Sequence, residues 1–469
     1  MSRINTNISS LQAIHTLTKN NADLNMRLQR LSTGLKINTG KDAPAGLIAS
    51  EALRSEINGI NQAIDNSQRA GNVINTAEGA LSEVSSLLLE VQSLTNQAAN
   101  TGALSPDEIK ANQLQVDAIL NSVNRISNTT QFNGVKLLNG QLDYSTSGVA
   151  ASALANVQIN SAKLPENGTM QVVVQVTGSA KTGEVTFAQA GLAANNPITI
   201  EIAGNTGTEQ LSFAGSTHTS AIAFAVNQLR DATGVSATTS GANGLKLDST
   251  GYGSKQFVSV KTINGTFLNT KNNGTDGTVT INGEKADVDG LSASVRNDSL
   301  DATITLDHSF AQTLATKNFY ITGGGAKFQI GESVNRQGQT DIGVSSVSTS
   351  KLGDGVAGYL SSMASGGANS LVSGNTIAAQ KIIDAAVRQV ATIRGRLGAF
   401  QKDVLDTNVN SLNVALENVT SSESDIRDAD FASETAAMTR AQILVQANTS
   451  VLAQANASPQ NVLSLLRGG

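Results

Sequence analysis

Both ends of this chain carry apolar stripes at heptad spacing, and a helix cannot bury such a stripe by itself. In the first stripe Ile14, Leu17, Leu24, Leu28, Leu31 and Leu35 follow in steps of three and four, with Asn21 filling the one gap. Ile4, Ile8 and Leu11 extend an apolar face to the start. A helix reaching Leu35 would be roughly 50 Å long at about 1.5 Å per residue. A buried amide at Asn21 would fix register at a cost in stability; a loosely paired, solvated face is the alternative.

Lys41-Asp42-Ala43-Pro44-Ala45-Gly46 interrupts this helix, because the Pro44 ring clashes with the preceding turn and denies helical geometry to Ala43. A second seam follows through Leu53, Ile57, Ile60, Ile64, Ile74, Leu81 and Leu88, with Ser67 and Gly71 as small members, and ends near Asn100-Thr101-Gly102. Ser105-Pro106-Asp107-Glu108 then supplies an N-cap serine, a first-turn proline and a glutamate at the third helical position, a start signal. The helix it opens carries Val116, Ile119, Leu120, Val123 and Ile126 on one face.

At the other end Ile383, Val390, Leu397 and Val404 recur every seven residues, interleaved with Ala386, Ile393 and Phe400, and the stripe continues out of phase through Leu412, Leu416 and Val419. A last helix places Met438, Ala441, Leu444, Val451, Leu452 and Ala455 on one side before Pro459 and the apolar tail Val462, Leu463, Leu465 and Leu466. Seams at both ends are most simply satisfied by each other. The expected fold class is therefore α+β: a long antiparallel coiled-coil or helical-bundle core built from both termini, with a β-rich central insertion.

Most of the 43 glycines and most of the 11 phenylalanines lie in that middle, residues 166–369. Alternation in Ile198-Thr199-Ile200-Glu201-Ile202, Leu245-Lys246-Leu247, Phe257-Val258-Ser259-Val260 and Ala302-Thr303-Ile304-Thr305-Leu306 predicts strands, with one amphipathic helix near Ser220–Asp231.

Other classes are disfavoured. A net charge of −5 with no long basic run gives no footprint for nucleic acid. No apolar stretch approaches the roughly 20 residues of a membrane helix, so no membrane insertion is expected. The opening MSRINTNISS has neither the basic region nor the apolar core of a cleaved signal, so export is expected by another route. With no cysteine a disulfide framework is excluded, and with 3 histidines no metal or cofactor is expected.

The opening MSRINTNISSLQAIHTLTKNNADLNMRLQRLSTGLKINTGKDAPAGLIAS, the stretch Gln131-Phe132-Asn133-Gly134-Val135-Lys136-Leu137-Leu138 and the close SVLAQANASPQNVLSLLR resemble the two ends of the bacterial flagellin family, over about residues 1–140 and 375–467. Residues 196–262 also resemble that family's recurrent insertion module. The resemblance implies an inner coiled-coil core (1–43 and 428–469), an outer helical core with a small β-hairpin region (44–165 and 370–427) and a projecting surface insertion (166–369), the last with two subdomains at about 185–262 and 263–350. It implies a secreted, extracellular subunit of the flagellar filament used for swimming, self-assembling as a helical homopolymer. Other implied partners are the flagellar export apparatus, its flagellin chaperone, and the filament cap and hook–filament junction proteins. The expected polymerisation core is Ile4, Ile8, Leu11, Ile14, Leu17, Leu24, Leu28, Leu31, Leu35, Met438, Ala441, Leu444, Val451, Leu452, Val462, Leu463, Leu465 and Leu466.

Flagellins sensed by the innate Toll-like receptor resemble one another in a pattern like Gln-Arg-Val-Arg-Glu-Leu, where this chain has Leu89-Glu90-Val91-Gln92-Ser93-Leu94. A family glutamate on the next helix is Gln115 here. The implied receptor-facing surface is Glu90, Gln92, Leu94 and Gln115, with weakened activation because Glu90 reverses a charge.

Remaining motifs favour ordinary structural roles. Asp425, Asp428 and Asp430 could suggest a metal site, but Arg427 competes for them and a solvated junction is expected. In Gly323-Gly324-Gly325-Ala326-Lys327 the glycine spacing is wrong for a phosphate loop and Phe328 stands where Ser or Thr should follow. His15, His218 and His308 are scattered, without a His-Glu-x-x-His helix. Asn-x-Ser/Thr triplets such as Asn264-Gly265-Thr266 arise by chance in a chain this rich in those residues. Two rivals to a filament subunit are a hook–filament junction protein, disfavoured by the full C-terminal match, and a secreted enzyme or adhesin, disfavoured by the lack of a catalytic constellation.

Overall fold

The computed structural model describes residues 6–467 except 166–167, 190, 194–195, 241–243, 298 and 356, with side-chain surroundings given as far as residue 458. Its helices are α1 (Ile8–Thr33), α2 (Pro44–Ala98), α3 (Pro106–Thr129), α4 (Thr219–Gln228), the single turns α5 (Arg230–Thr233) and α6 (His308–Ala311), α7 (Thr376–Ala399), α8 (Thr407–Arg427) and α9 (Phe431–Arg467). The named strands all lie between Gln131 and Tyr359, so helical ends flank a β-rich middle and the α+β class holds.

Two compact units divide the chain. One comprises the chain up to Arg69, Gln329–Gln339 and the chain from Lys402; the other comprises Ala70–Phe328 and Thr340–Gln401. The division falls inside α2, not at the Ala43-Pro44 break.

α2 keeps a strict heptad over its length. Ile60, Ser67, Ile74, Leu81, Leu88 and Thr95 alternate with Ala63, Ala70, Ala77, Val84, Val91 and Ala98, all of them buried. Sequence reading found Ile60, Ser67, Ile74, Leu81 and Leu88 and missed Val84, Val91 and the alanines, which supply close approach in place of bulk. In the second unit this face is joined by buried Val116, Ile119 and Val123 of α3 and Ile383, Ala386, Val390, Ile393 and Leu397 of α7. Gln92 Nε2 donates to Asp384 Oδ1 at 3.1 Å, and Arg394 binds Glu78 at 2.7 Å. At the start of α3 the capping box is complete: the Ser105 side chain accepts from Glu108 N and Glu108 returns to Ser105 N.

The hairpin Gln131–Phe132 with Val135–Lys136 turns at Asn133 and Gly134, both at positive φ (48° and 84°), the two-residue turn that suits strand twist. Beyond it are two β cores. In the first, a five-stranded sheet (order Glu284–Lys285, Thr278–Ile281, Met170–Gly178, Thr316–Gly324, Tyr144–Ser147) and a four-stranded sheet (Asp287–Asp289, Ser292–Arg296, Leu300–Leu306, Leu154–Ala162) enclose Val172, Val174, Ala302, Ile304, Phe319 and Ile321. Tyr144–Ser147 and Leu154–Ala162 thus belong to the β-rich middle, which starts before residue 166: a Tyr-Ser-Thr-Ser strand has little apolar alternation to reveal it. The second core joins the sheet Thr270–Asn273, Phe257–Asn264, Ile198–Ala203, Thr208–Phe213 to the sheet Glu184–Phe187, Gly244–Ser249, Val235–Ser240, and includes Ile222 and Val226 of α4.

α9 also departs from expectation. Its backbone stays helical through Pro459 to Arg467, where the sequence suggested that the helix stops and a tail begins. Among the described residues no helix is long and apolar enough to cross a membrane, and no group of three acidic or histidine side chains could hold a metal ion.

Candidate functional site

In the first unit α1 runs antiparallel to α9. Gly34 ends α1 with φ at 72°, and backbone bonds then tie the chain to the α8–α9 junction: Lys36 N to Arg427 O at 2.7 Å and Ala429 N to Gly34 O at 2.9 Å. Asp430 caps α9 by accepting from Ala432 N at 2.9 Å, while Asp428 accepts from the Ser424 hydroxyl. Arg427 turns to Glu51 at 3.2 Å. Asp428 and Asp430 are therefore spent on capping and pairing, and Asp425 is exposed.

A row of shielded positions on α1 is Ser10, Ala13, Leu17, Asn20, Leu24, Arg27 and Leu31, flanked by half-buried Asp23, Met26 and Arg30; on α9 the row is Glu434, Met438, Ala441, Val445, Asn448, Leu452 and Ala455, flanked by Thr435, Ala437 and Ala457. Each set alternates in threes and fours, the geometry of a coiled-coil seam. The seam is phased differently from the sequence reading. Leu17, Leu24, Leu31, Met438, Ala441 and Leu452 lie on it, and Leu35 is half-buried at its base. Ile8 (52% exposed), Leu11 (60%), Ile14 (47%), Leu28 (45%), Leu444 (44%) and Val451 (54%) do not; they face outward with Ile443. Asn21 is exposed, in accord with a solvated face. Ile4 lies outside the described residues, as do the side chains of Val462, Leu463, Leu465 and Leu466.

Polar groups occupy much of the seam. Arg27 Nη1 reaches Glu434 Oε2 at 2.9 Å and Arg30 Nη1 reaches Oε1 at 3.0 Å, with the Glu434 side chain 10% exposed. Burial opposes ionisation of Glu434, but the hydrogen bonds and charges of Arg27 and Arg30 outweigh it and hold the carboxyl below its ordinary range. At the far end Asn7 Nδ2 donates to Ala455 O at 2.8 Å and Ser10 Oγ to Asn456 Oδ1 at 2.7 Å. Sequence reasoning passed over these residues, although Glu434 is the one acidic side chain between Phe431 and Arg467. The seam is thus interrupted by charged and amide side chains, while several large aliphatic side chains face outward.

Two family models match this chain: the bacterial flagellin N-terminal helical region over residues 4–143 and the C-terminal helical region over 380–466. A flagellin of Salmonella typhimurium is 30% identical over an alignment 521 residues long, covering 99% of each chain. The chain belongs to the bacterial flagellin family. A B-type flagellin of Pseudomonas aeruginosa is 31% identical, again over 99% of each chain. Among solved structures, flagellar hook associated protein-3 from Legionella pneumophila matches at 15% identity and a TM-score of 0.31, over 80% of this chain and 98% of that one. As a flagellin, the chain is a structural subunit of the extracellular flagellar filament, with α1, α2 and α3 in the region matched by the N-terminal flagellin model and α7, α8 and α9 largely in that matched by the C-terminal one.

Of the surface assigned to an innate receptor, Glu90 and Gln115 are exposed and Gln92 is half-buried against Asp384. Leu94 is 6% exposed and belongs to the helical core, so it presents no contact surface. A cavity of about 500 Å³ in the second unit is lined by Asp143, Tyr144, Lys351, Asp354 and Gln389 among others, with no histidine in its wall.

Proposed function

We propose that the outward faces of α1 and α9 are the polymerisation surface of the filament, each buried by a different face of a neighbouring copy. One observation carries this: Ile8, Leu11, Ile14, Leu28, Ile443, Leu444 and Val451 are exposed on helices whose other sides are already paired. Isolated apolar side chains need no explanation, but a stripe along two paired helices marks an interaction site. The self-association is head-to-tail and does not close, giving an open helical array. On the same reading α8, which buries no residue in the lone chain, and exposed Ile48 and Val414 are completed by neighbours.

The role is structural, with no catalytic step assigned to any residue. The other partners are those of flagellar export and assembly: the export apparatus, a flagellin chaperone, the cap and the hook–filament junction. Innate receptor recognition is weak, supported by exposed Glu90 where the family pattern is basic. Electron microscopy of purified chain, depolymerised by heat and returned to assembly conditions, tests the main proposal. Long fibres are expected from the parent chain and not from Ile14→Ser/Leu28→Ser; fibres of normal yield from that variant would refute the assignment.

A further inference from the structure

A heptad seam has an ambiguity that apolar packing does not remove. Slipping α1 by seven residues along α9 sets Leu17, Leu24 and Leu31 on equivalent positions, so most side-chain burial survives. In a filament every α1 is also surrounded by identical helices. Something that does not repeat must choose the alignment.

We propose that two polar locks, Glu434 gripped by Arg27 and Arg30, and the Asn7 amide seated on the Ala455 carbonyl, fix the register in which α1 and α9 pair. This rests on the filament reading above but concerns alignment, not the outward faces.

The first lock discriminates by charge. In the observed register Arg27 Nη1 lies 3.1 and 2.9 Å from the two Glu434 oxygens and Arg30 Nη1 lies 3.0 Å from one. A slip of seven in one direction sets Arg27 opposite Ala441 and Glu434 opposite Gly34, at the end of α1, so that neither charge keeps its partner. The opposite slip brings Arg27 towards Arg427. Removing the partner of a shielded charge costs far more than the pair gains over an apolar contact, so the lock works by penalising the wrong alignments.

The second lock discriminates by a vacancy in the helix ladder. Within an α-helix the carbonyl of residue i accepts from the N–H of residue i+4, and Pro459 has none to give Ala455. The backbone remains helical there, and Asn7 Nδ2 supplies a donor to Ala455 O at 2.8 Å. Carbonyls at 448 or 452 are followed four residues later by Leu452 and Asn456, which have N–H groups. A slipped Asn7 would find no such vacancy.

The chain has no cysteine, so paired cysteines report alignment cleanly. Ser10→Cys with Asn456→Cys should cross-link in the native register, since those side chains touch at 2.7 Å; Ser10→Cys with Thr449→Cys reports a slip of seven. In parent filaments only the first pair is expected to close. Adding Glu434→Gln and Asn7→Leu should lower the ratio of native to slipped product by about tenfold or more, as loss of the charged lock implies. Mere loss of stability would cut fibre yield and leave the ratio unchanged, and that result would overturn the proposal. If this variant forms no fibres, the inverted set Arg27→Glu, Arg30→Glu and Glu434→Arg, with Asp23→Asn to remove a like-charge neighbour, decides: fibres with the native cross-link support the locks, and none refutes them. Failure of the parent cysteine pair to assemble would instead count against the filament reading.

Discussion

Arg27 and Glu434, 407 positions apart in the chain, meet across the helix pair with both carboxylate oxygens within 3.1 Å of one guanidinium nitrogen. A pair this shielded makes the terminal helices sensitive to acid. The Glu434 carboxyl titrates below its ordinary value of 4.5, so the folded pair binds fewer protons than the separated helices as the pH falls through that region. Its contribution is complete above about 4.5 and lost progressively below. Glu434→Ala should cost about 3 kcal/mol at neutral pH, because two arginines are left behind, and should flatten the acid dependence. Circular dichroism of filaments between pH 7 and 3 checks both.

Leu17→Ala and Leu28→Ala separate the two faces of α1. Leu17 is shielded within the chain and Leu28 is 45% exposed, so both substitutions should impair fibres, but only the first should weaken contact between α1 and α9. Ser10–Asn456 cysteine cross-linking of unassembled chain reads the difference: reduced for Leu17→Ala and unchanged for Leu28→Ala.

Ile222 is fully buried against the sheets of the second β core. Ile222→Ala should cost 2–4 kcal/mol there, about the usual value for a large-to-small core change. Calorimetry should show an early transition for that core while fibre formation stays normal, because the terminal helices are untouched.

Gly59 of α2 faces the Glu332 carbonyl, which a Cβ would approach to 2.8 Å. Asn408 Nδ2 holds the same segment through Ile330 O at 2.9 Å. Gly59→Ala should therefore destabilise this unit, despite a gain in helix propensity of about 1 kcal/mol, because a backbone carbonyl must move. A lower unfolding midpoint is expected, with Gly59→Ser no better.

Glu90→Arg restores the basic character of the family pattern at an exposed position. Receptor reporter potency should rise severalfold over the parent. Leu94→Ala should lower stability more than it alters recognition, since its side chain is in the core.

The helices were legible because their seams are long and their punctuation is local: Pro44 and the Ser105–Glu108 box act through a few neighbouring atoms. Strands with apolar alternation, such as Ile198–Ala203, were legible for the same reason. What escaped is non-local. Which side of α1 meets α9 depends on Arg27 and Glu434 finding each other across 407 residues, and the aliphatic stripe pointed instead to Ile14 and Leu28. The alanines at 63, 70 and 77 escaped because close packing of small side chains has no strong hydrophobic signature. Pro459 reads as a helix end in the sequence, since the donor that replaces its missing N–H comes from Asn7 at the opposite end of the chain.

The central claim is that the aliphatic rows left outside the α1–α9 pair are covered only by other subunits. Hydrogen exchange of residues 8–33 and 431–467, compared between dilute monomer and assembled filament, measures it directly. Fast exchange in the monomer and slow exchange in the filament is predicted, because one half-buried seam alone holds two long helices weakly. Equal, strong protection of both helices in the dilute monomer would contradict it.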